Sequence, residues 1–222
     1  MAAAKRNAHS RPRANRVRMD RTKQRRGHST RARKIDPIPE SYQPLRRACA
    51  TLNDKLFGGE LPPCLITLQR KKRALGFFAG RRFRSADGTT ITDEIALNPA
   101  SFAQRGAKKV LSTLAHELAH QWQHHYGKPS RTGYHNAEWA AKMLQIGLVP
   151  SDTGRPGGNS TGQRMTHYIR PGGLFDLAAD KLIAKGFALA YVERATKAER
   201  KVALKKRQSK TRYRWIVSRC VV

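Results

Sequence analysis

LSTLAHELAHQW, residues 111–122, decides how the rest of the chain is read. Leu111, Leu114, Ala115, Leu118, Ala119 and Trp122 recur at helical spacing and leave little polar surface, which predicts a largely buried helix. Set into it are His116, Glu117 and His120, an HExxH motif. Residues four apart share nearly one face, so both imidazoles can address a single metal. Glu117 sits about 100° further round, able to reach a water beside that metal without ligating it. Two histidines and a glutamate inside an apolar helix are costly unless partnered. A metal satisfies all three at once; a pair of hydrogen-bonded core histidines is the plainer alternative.

A catalytic zinc site takes three protein ligands and leaves one position open. His124, His125, His135, Glu138 and His167 are the candidates for the third. His124 lies two turns beyond His116, too far along the axis to close a tetrahedron comfortably. Gln123 stands where an extended HExxHxxGxxH pattern would place glycine. His135 follows a Gly/Pro/Ser/Arg turn and opens the next helix, so it can fold back over the first; Glu138, three residues on, would complete a two-histidine, one-carboxylate set.

Outward from the motif, the pattern is α+β. Leu45, Ala48, Cys49, Leu52 and Leu56 predict a helix over 41–57, stopped by Gly58-Gly59. Short β-type runs follow at Cys64–Gln69, Ala74–Phe78 and Thr90–Leu97, expected to form a small antiparallel sheet. The metal helix spans about Ala107–Tyr126, and a shorter one Ala137–Ile146. Residues 151–173 are rich in Gly, Pro, Ser and Thr and read as loop or extended chain; Leu174–Phe187 again has helical periodicity.

Charge separates the ends from the middle. The 222 residues carry a formal +30. Residues 1–35 hold 13 basic and one acidic residue, 36–160 hold 17 and 10, and 161–222 hold 15 and four. The first 35 residues have too little apolar surface to offset ordering entropy and read as a disordered basic arm. The core is expected over 36–152, a Gly-rich linker and packed helix over 153–195, and a basic tail over 196–222. Such a field favours a polyanion, above all nucleic acid, without sequence specificity. Arg70, Lys71, Lys72 and Arg73, then Arg81, Arg82 and Arg84, interleave with Phe77, Phe78 and Phe83. On a hairpin they could track a backbone and stack bases, or equally be solvated charge over core phenylalanines. Cys49, Cys64 and Cys220 form neither a disulfide framework nor a CxxC pair, which fits a reducing compartment. No apolar run approaches a membrane span. The N-terminus lacks the apolar stretch of a secretory signal; an Arg-rich transit peptide fits less well, because basic density returns at the C-terminus. A cytoplasmic, nucleoid- or DNA-associated protein is expected.

The run HELAHQWQHHYGKPSRTGYHNAEWAAKM, residues 116–143, resembles the SprT-like family of zinc metalloproteases, which includes the Spartan type that degrades proteins crosslinked to DNA. The likeness extends upstream through LFGGELP (56–62) and DEIALNP (93–99), and downstream through PSDTG (150–154) and Gly172-Gly173. It implies a zincin-like minimal metalloprotease domain with Zn2+ on His116, His120 and His135 and Glu117 as general base. Glu138 becomes a candidate outer partner of the ligands. Many relatives end in a Cys-based zinc ribbon; here Trp215 and Ser218 stand at the expected CxxC positions, so the ribbon is read as lost. In that frame Tyr126, Arg131 and Tyr134 are candidate oxyanion stabilisers, and the strand 93–98 resembles the edge strand that holds substrate in an extended form. The implied function is DNA-associated, zinc-dependent proteolysis in DNA–protein crosslink repair. The competing reading is a non-catalytic nucleic-acid-binding protein with a structural zinc.

Overall fold

Asp36 starts the first helix: its carboxylate accepts from Ile38 N at 3.2 Å, and Pro37 occupies a first-turn position where no N–H is needed. The computed structural model describes residues 36–194; the expected arm at 1–35 and basic tail at 196–222 lie outside them. Helix α1 runs Pro37–Phe57, starting four residues earlier than periodicity suggested, because Pro37 and Pro39 fit its first turn. It ends at Gly58, whose φ of 68° is the left-handed cap glycine adopts without strain.

Three strands follow: β1 (Cys64–Leu68), β2 (Gly76–Arg84) and β3 (Ile91–Leu97). Their spatial order is β1-β3-β2, with β3 parallel to β1 and antiparallel to β2. The sheet is therefore mixed, not antiparallel as expected. The β2–β3 hairpin turns at Asp87-Gly88, where Asp87 accepts from Thr89 N at 3.1 Å. Because β3 is central, it is buried from Asp93 through Leu97, as strands covered on both faces are. Asn98 closes the sheet: its amide donates to Lys71 O and Ala74 O, both at 2.8 Å, and pins the basic 70–73 loop to the end of β3.

Helix α2 (Phe102–Tyr126) bends at Gly106, which has φ 73° and ψ 166°. The regular helix therefore begins at residue 107, and the extra turn before it has no periodic signal. Helix α3 (Ala137–Gln145), β4 (Leu148–Ser151), β5 (Thr166–Ile169) and α4 (Leu174–Ala184) complete the described chain. β5 lies within the stretch 151–173 read as loop or extended and pairs antiparallel with β4, which only enters that stretch at Ser151. The first turn of α4 hangs on the end of α3 through Phe175 N to Ile146 O at 2.9 Å. One apolar cluster joins α1 (Leu45, Leu52), β3 (Ile95, Leu97), α2 (Leu111, Leu114, Leu118), α3 (Trp139, Met143) and α4 (Phe175, Ala179). Among the described residues no helix is long and apolar enough to cross a membrane.

Leu114 is fully enclosed at the centre of this cluster. Leu114→Ala should lower unfolding free energy by about 2–5 kcal/mol, measured as a lower urea midpoint at unchanged slope.

Candidate metal centre

Helix α2 delivers its polar face into the core. His116 and Glu117 are buried, and Trp139 of α3 lies beneath the imidazoles. Its ring stacks on His120 at 5.2 Å and meets His116 and His135 edge-on at 4.9 and 4.4 Å. His116, His120 and His135 each offer one ring nitrogen, and these atoms lie within 4.8 Å of one another. The Nε2 atoms of His116 and His120 are 3.3 Å apart. A tetrahedral zinc with Zn–N bonds of 2.0–2.1 Å requires an edge of about 3.3 Å, so the His116–His120 pair matches that ion.

The other nitrogens are held from behind. His135 Nδ1 faces Gly162 O at 3.1 Å, and the backbones of these two residues form a β-bridge. His116 Nδ1 faces His167 Nδ1 of β5 at 3.2 Å. Such outer contacts fix ring orientation and tautomer. Burial pulls all of these imidazoles below their ordinary values, His120 to about 3 and His167 to about 4, with Arg105 adding to the effect at His167 and the Gly162 and Gly133 backbone partly opposing it at His135. For His116 burial again dominates, followed by His120, His167 and His135. The rings are therefore neutral at pH 7, the form that ligates.

Glu117 is set apart from the ring nitrogens. Its side chain approaches β2, where a Cβ on Gly76 would stand 3.1 Å from Glu117 Oε1 and 2.8 Å from Ala96 O. Glycine at 76 is what lets strand and carboxylate meet. Without a cation, burial pushes the Glu117 carboxyl up to about 8, an effect that Lys71 partly offsets. A divalent charge nearby would favour the carboxylate.

Asn136 and Glu138 aim the third histidine. Asn136 caps α3 by accepting from Trp139 N at 3.0 Å and also takes Gln123 Nε2 at 2.7 Å. Glu138 accepts from Gln123 Nε2 and Lys128 N, each at 2.7 Å. It thus clamps the α2–α3 turn and contacts no imidazole of the cluster, in place of the ligand or outer-partner roles weighed from sequence. His167, weighed as a ligand, lies behind His116. His124 and His125 point toward Asp93 instead.

Of the sequence-derived oxyanion candidates, Tyr126 is engaged elsewhere, and Arg131 and Tyr134 contact each other. Tyr126 is six residues past His120, about 240° further round the helix, and its hydroxyl donates to Glu60 O at 2.5 Å. Arg131 stacks on Tyr134 at 4.9 Å, within the turn before His135. The cation that sequence reasoning missed is Arg105, which donates to Thr113 Oγ1 at 2.6 Å and contributes to the lowered values of His116 and His167. Only the bend at Gly106 carries it there, and periodicity has no signal for a bend. Of the seven basic candidates, Arg70–Arg73 and Arg81, Arg82 and Arg84 are exposed and bracket the two ends of β2. Arg70 pairs with Glu193 at 3.0 Å, and Lys71 lies over Phe77 at 4.2 Å.

The sequence model of the SprT-like family matches residues 45–160, the stretch that contains all three converging imidazoles. The chain is a member of the SprT-like family. This SprT-like chain is also 51% identical over 59 residues to a Salmonella typhimurium protein described as "Uncharacterized protein in mucB 3'region". That alignment covers 27% of the chain and 80% of the relative. No solved structure matches it.

The raised Glu117 value gives this SprT-like domain a pH signature. Between the ordinary glutamate range and about 8, the cation-free folded state holds a proton that the unfolded chain releases. Stability should therefore fall as pH rises through that window. In chelator, the melting temperature of the wild type should drop from about pH 5 to 8 more than that of Glu117→Gln. Parallel curves would mean that Glu117 is not held protonated.

Proposed function

We propose that the chain is a zinc-dependent endopeptidase of zincin type that cleaves proteins bound or crosslinked to DNA. The observation that carries the reading is three imidazoles that bring one nitrogen each to within 4.8 Å of one another, next to a buried carboxylate that is not one of them. A structural zinc needs no such base. His116, His120 and His135 would hold Zn2+, which supplies a Lewis acid that polarises a peptide carbonyl and acidifies water. Glu117 takes the proton from the attacking water and returns it to the leaving amine.

Substrate placement differs from the sequence expectation. The strand 93–98 has partners on both sides, β1 and β2, and has no free edge to offer. β1 and β2 are the edge strands of this sheet, and it is β2 whose Gly76 end meets Glu117. An extended peptide would add to β2 through main-chain hydrogen bonds, with Gly76 letting its backbone lie close to the base. Lys71 beside Glu117 and Arg81, Arg82 and Arg84 at the far end put positive charge at both ends of this lip. Together with the formal +30, this favours DNA lying along the same face as the protein to be cut. Work on DNA in turn implies a cytoplasmic, nucleoid-associated location.

Glu117→Gln should keep the zinc content of the histidine cluster and slow cleavage of a DNA-bound protein by about 10²–10⁴-fold; undiminished cleavage would overturn the mechanism. Chelator should abolish cleavage, and zinc should restore it. A protein that binds DNA and zinc yet never cleaves would be the structural-zinc alternative.

Neutralising Arg81, Arg82 and Arg84 together should weaken DNA binding and flatten the plot of log affinity against log salt by about 0.7–0.9 for every phosphate left without its arginine. An unchanged slope removes this patch from the interface.

A further inference from the structure

Past His120, helix α2 carries two more histidines, and neither belongs to the cluster already described. His124 and His125 meet Asp93, which rises from the middle of β3, with one ligand-type atom from each residue within 4.8 Å of the others. Asp93 is 3% exposed. A carboxylate there, inside a sheet, is costly unless its oxygens are occupied. Oδ1 accepts from Arg81 N at 2.8 Å; Oδ2 accepts from Gln121 Nε2 at 3.0 Å and lies 2.7 Å from His125 Nε2. Burial pushes its carboxyl up, but these hydrogen bonds outweigh burial and hold it below its usual range.

Two features of the backbone meet at this cluster. β2 bulges between Ala79 and Phe83, so that Gly80, Arg81 and Arg82 together oppose Asp93. Within the bulge Arg81 takes φ 53°, a left-handed conformation that costs a non-glycine residue about 1–2 kcal/mol. Residues held in such conformations gather at functional sites. Gly80 leaves room for His124: a Cβ there would stand 2.6 Å from Cε1 and Nε2 of the imidazole. Phe78 supports the same ring at 5.5 Å. A simple Asp93–His125 pair would need neither the Gly80 gap nor His124.

We propose that Asp93, His124 and His125 form a second site for a divalent transition metal, one helical turn beyond the His116–His120–His135 cluster. Two imidazoles and a carboxylate suit Zn2+, Co2+, Ni2+ or Cu2+, whereas Ca2+ and Mg2+ ask for oxygen donors. Both histidines are exposed, so the ion enters directly from solvent. Binding requires His125 Nε2 to give up its contact with Asp93 Oδ2 and swing to about 3.3 Å from it, the edge of a tetrahedral site. The bound ion clips β3, at the point where β2 bulges beside it, to α2. The site depends on the fold alone and stands whether or not the first cluster is catalytic.

The test is zinc content per chain, measured by mass spectrometry on full-length protein after zinc loading and gel filtration. The variants are His124→Ala and a His116→Ala/His120→Ala double variant. His124 is exposed and outside the core, so its variant should fold, and circular dichroism checks this. His124→Ala is expected to lose one equivalent relative to wild type, and the double variant to retain it. Wild type with one equivalent and His124→Ala with none would uphold this site and overturn the catalytic-zinc reading instead. Equal zinc in wild type and His124→Ala overturns the proposal, as does a double variant that binds none.

Discussion

Imidazoles and a carboxylate on consecutive turns of an otherwise apolar helix would each cost several kcal/mol if buried without partners. Most of the domain can be understood as the answer to that cost. The helix cannot turn the groups outward, because Leu111, Leu114 and Leu118 on its other faces already anchor it to α1, β3 and α4. The partners therefore have to be brought to the helix. Trp139 provides the floor, His135 the third nitrogen, and His167 and Gly162 the contacts behind the rings.

Bringing His135 into place falls to a short polar network rather than to packing. Gln123, Asn136, Glu138 and the Lys128 backbone share four hydrogen bonds of 2.7–3.0 Å between the end of α2 and the start of α3. A turn of Gly, Lys, Pro, Ser and Arg has no large apolar side chain with which to hold itself, so the hydrogen bonds set its path. This explains why Gln123 occupies the place of a glycine in longer HExxH patterns: the chain here needs a donor, not a bend. The same logic governs β2, where glycines at 76 and 80 admit a carboxylate and an imidazole that any side chain would exclude.

Periodicity made the helices and the approach of His116 to His120 readable, because both depend on local geometry. The meeting with His135 could be anticipated through the family likeness, while spacing alone left Glu138 open. Strand order was not legible. A run such as TDEIAL looks like a half-polar edge strand, yet Asp93 and Glu94 are buried because each finds specific partners: Arg81, Gln121 and His125 for one, Thr67 and Gln69 for the other. Nor could the sequence show that Tyr126 would bond to Glu60, or that Gly106 would swing Arg105 back toward Thr113. These contacts join residues tens of positions apart or cross a bend, where helical and strand periods carry no information.

The contact between His116 and His167 bears on where this domain can be cut. The stretch shared with the family stops at residue 160, ahead of both Gly162 and His167. A fragment trimmed to that boundary would retain every imidazole of the cluster but lose the brace behind two of them. It would also lose the α4 side chains that seal the core. The smallest autonomous version of this protein is therefore longer than its family signature and must extend through α4.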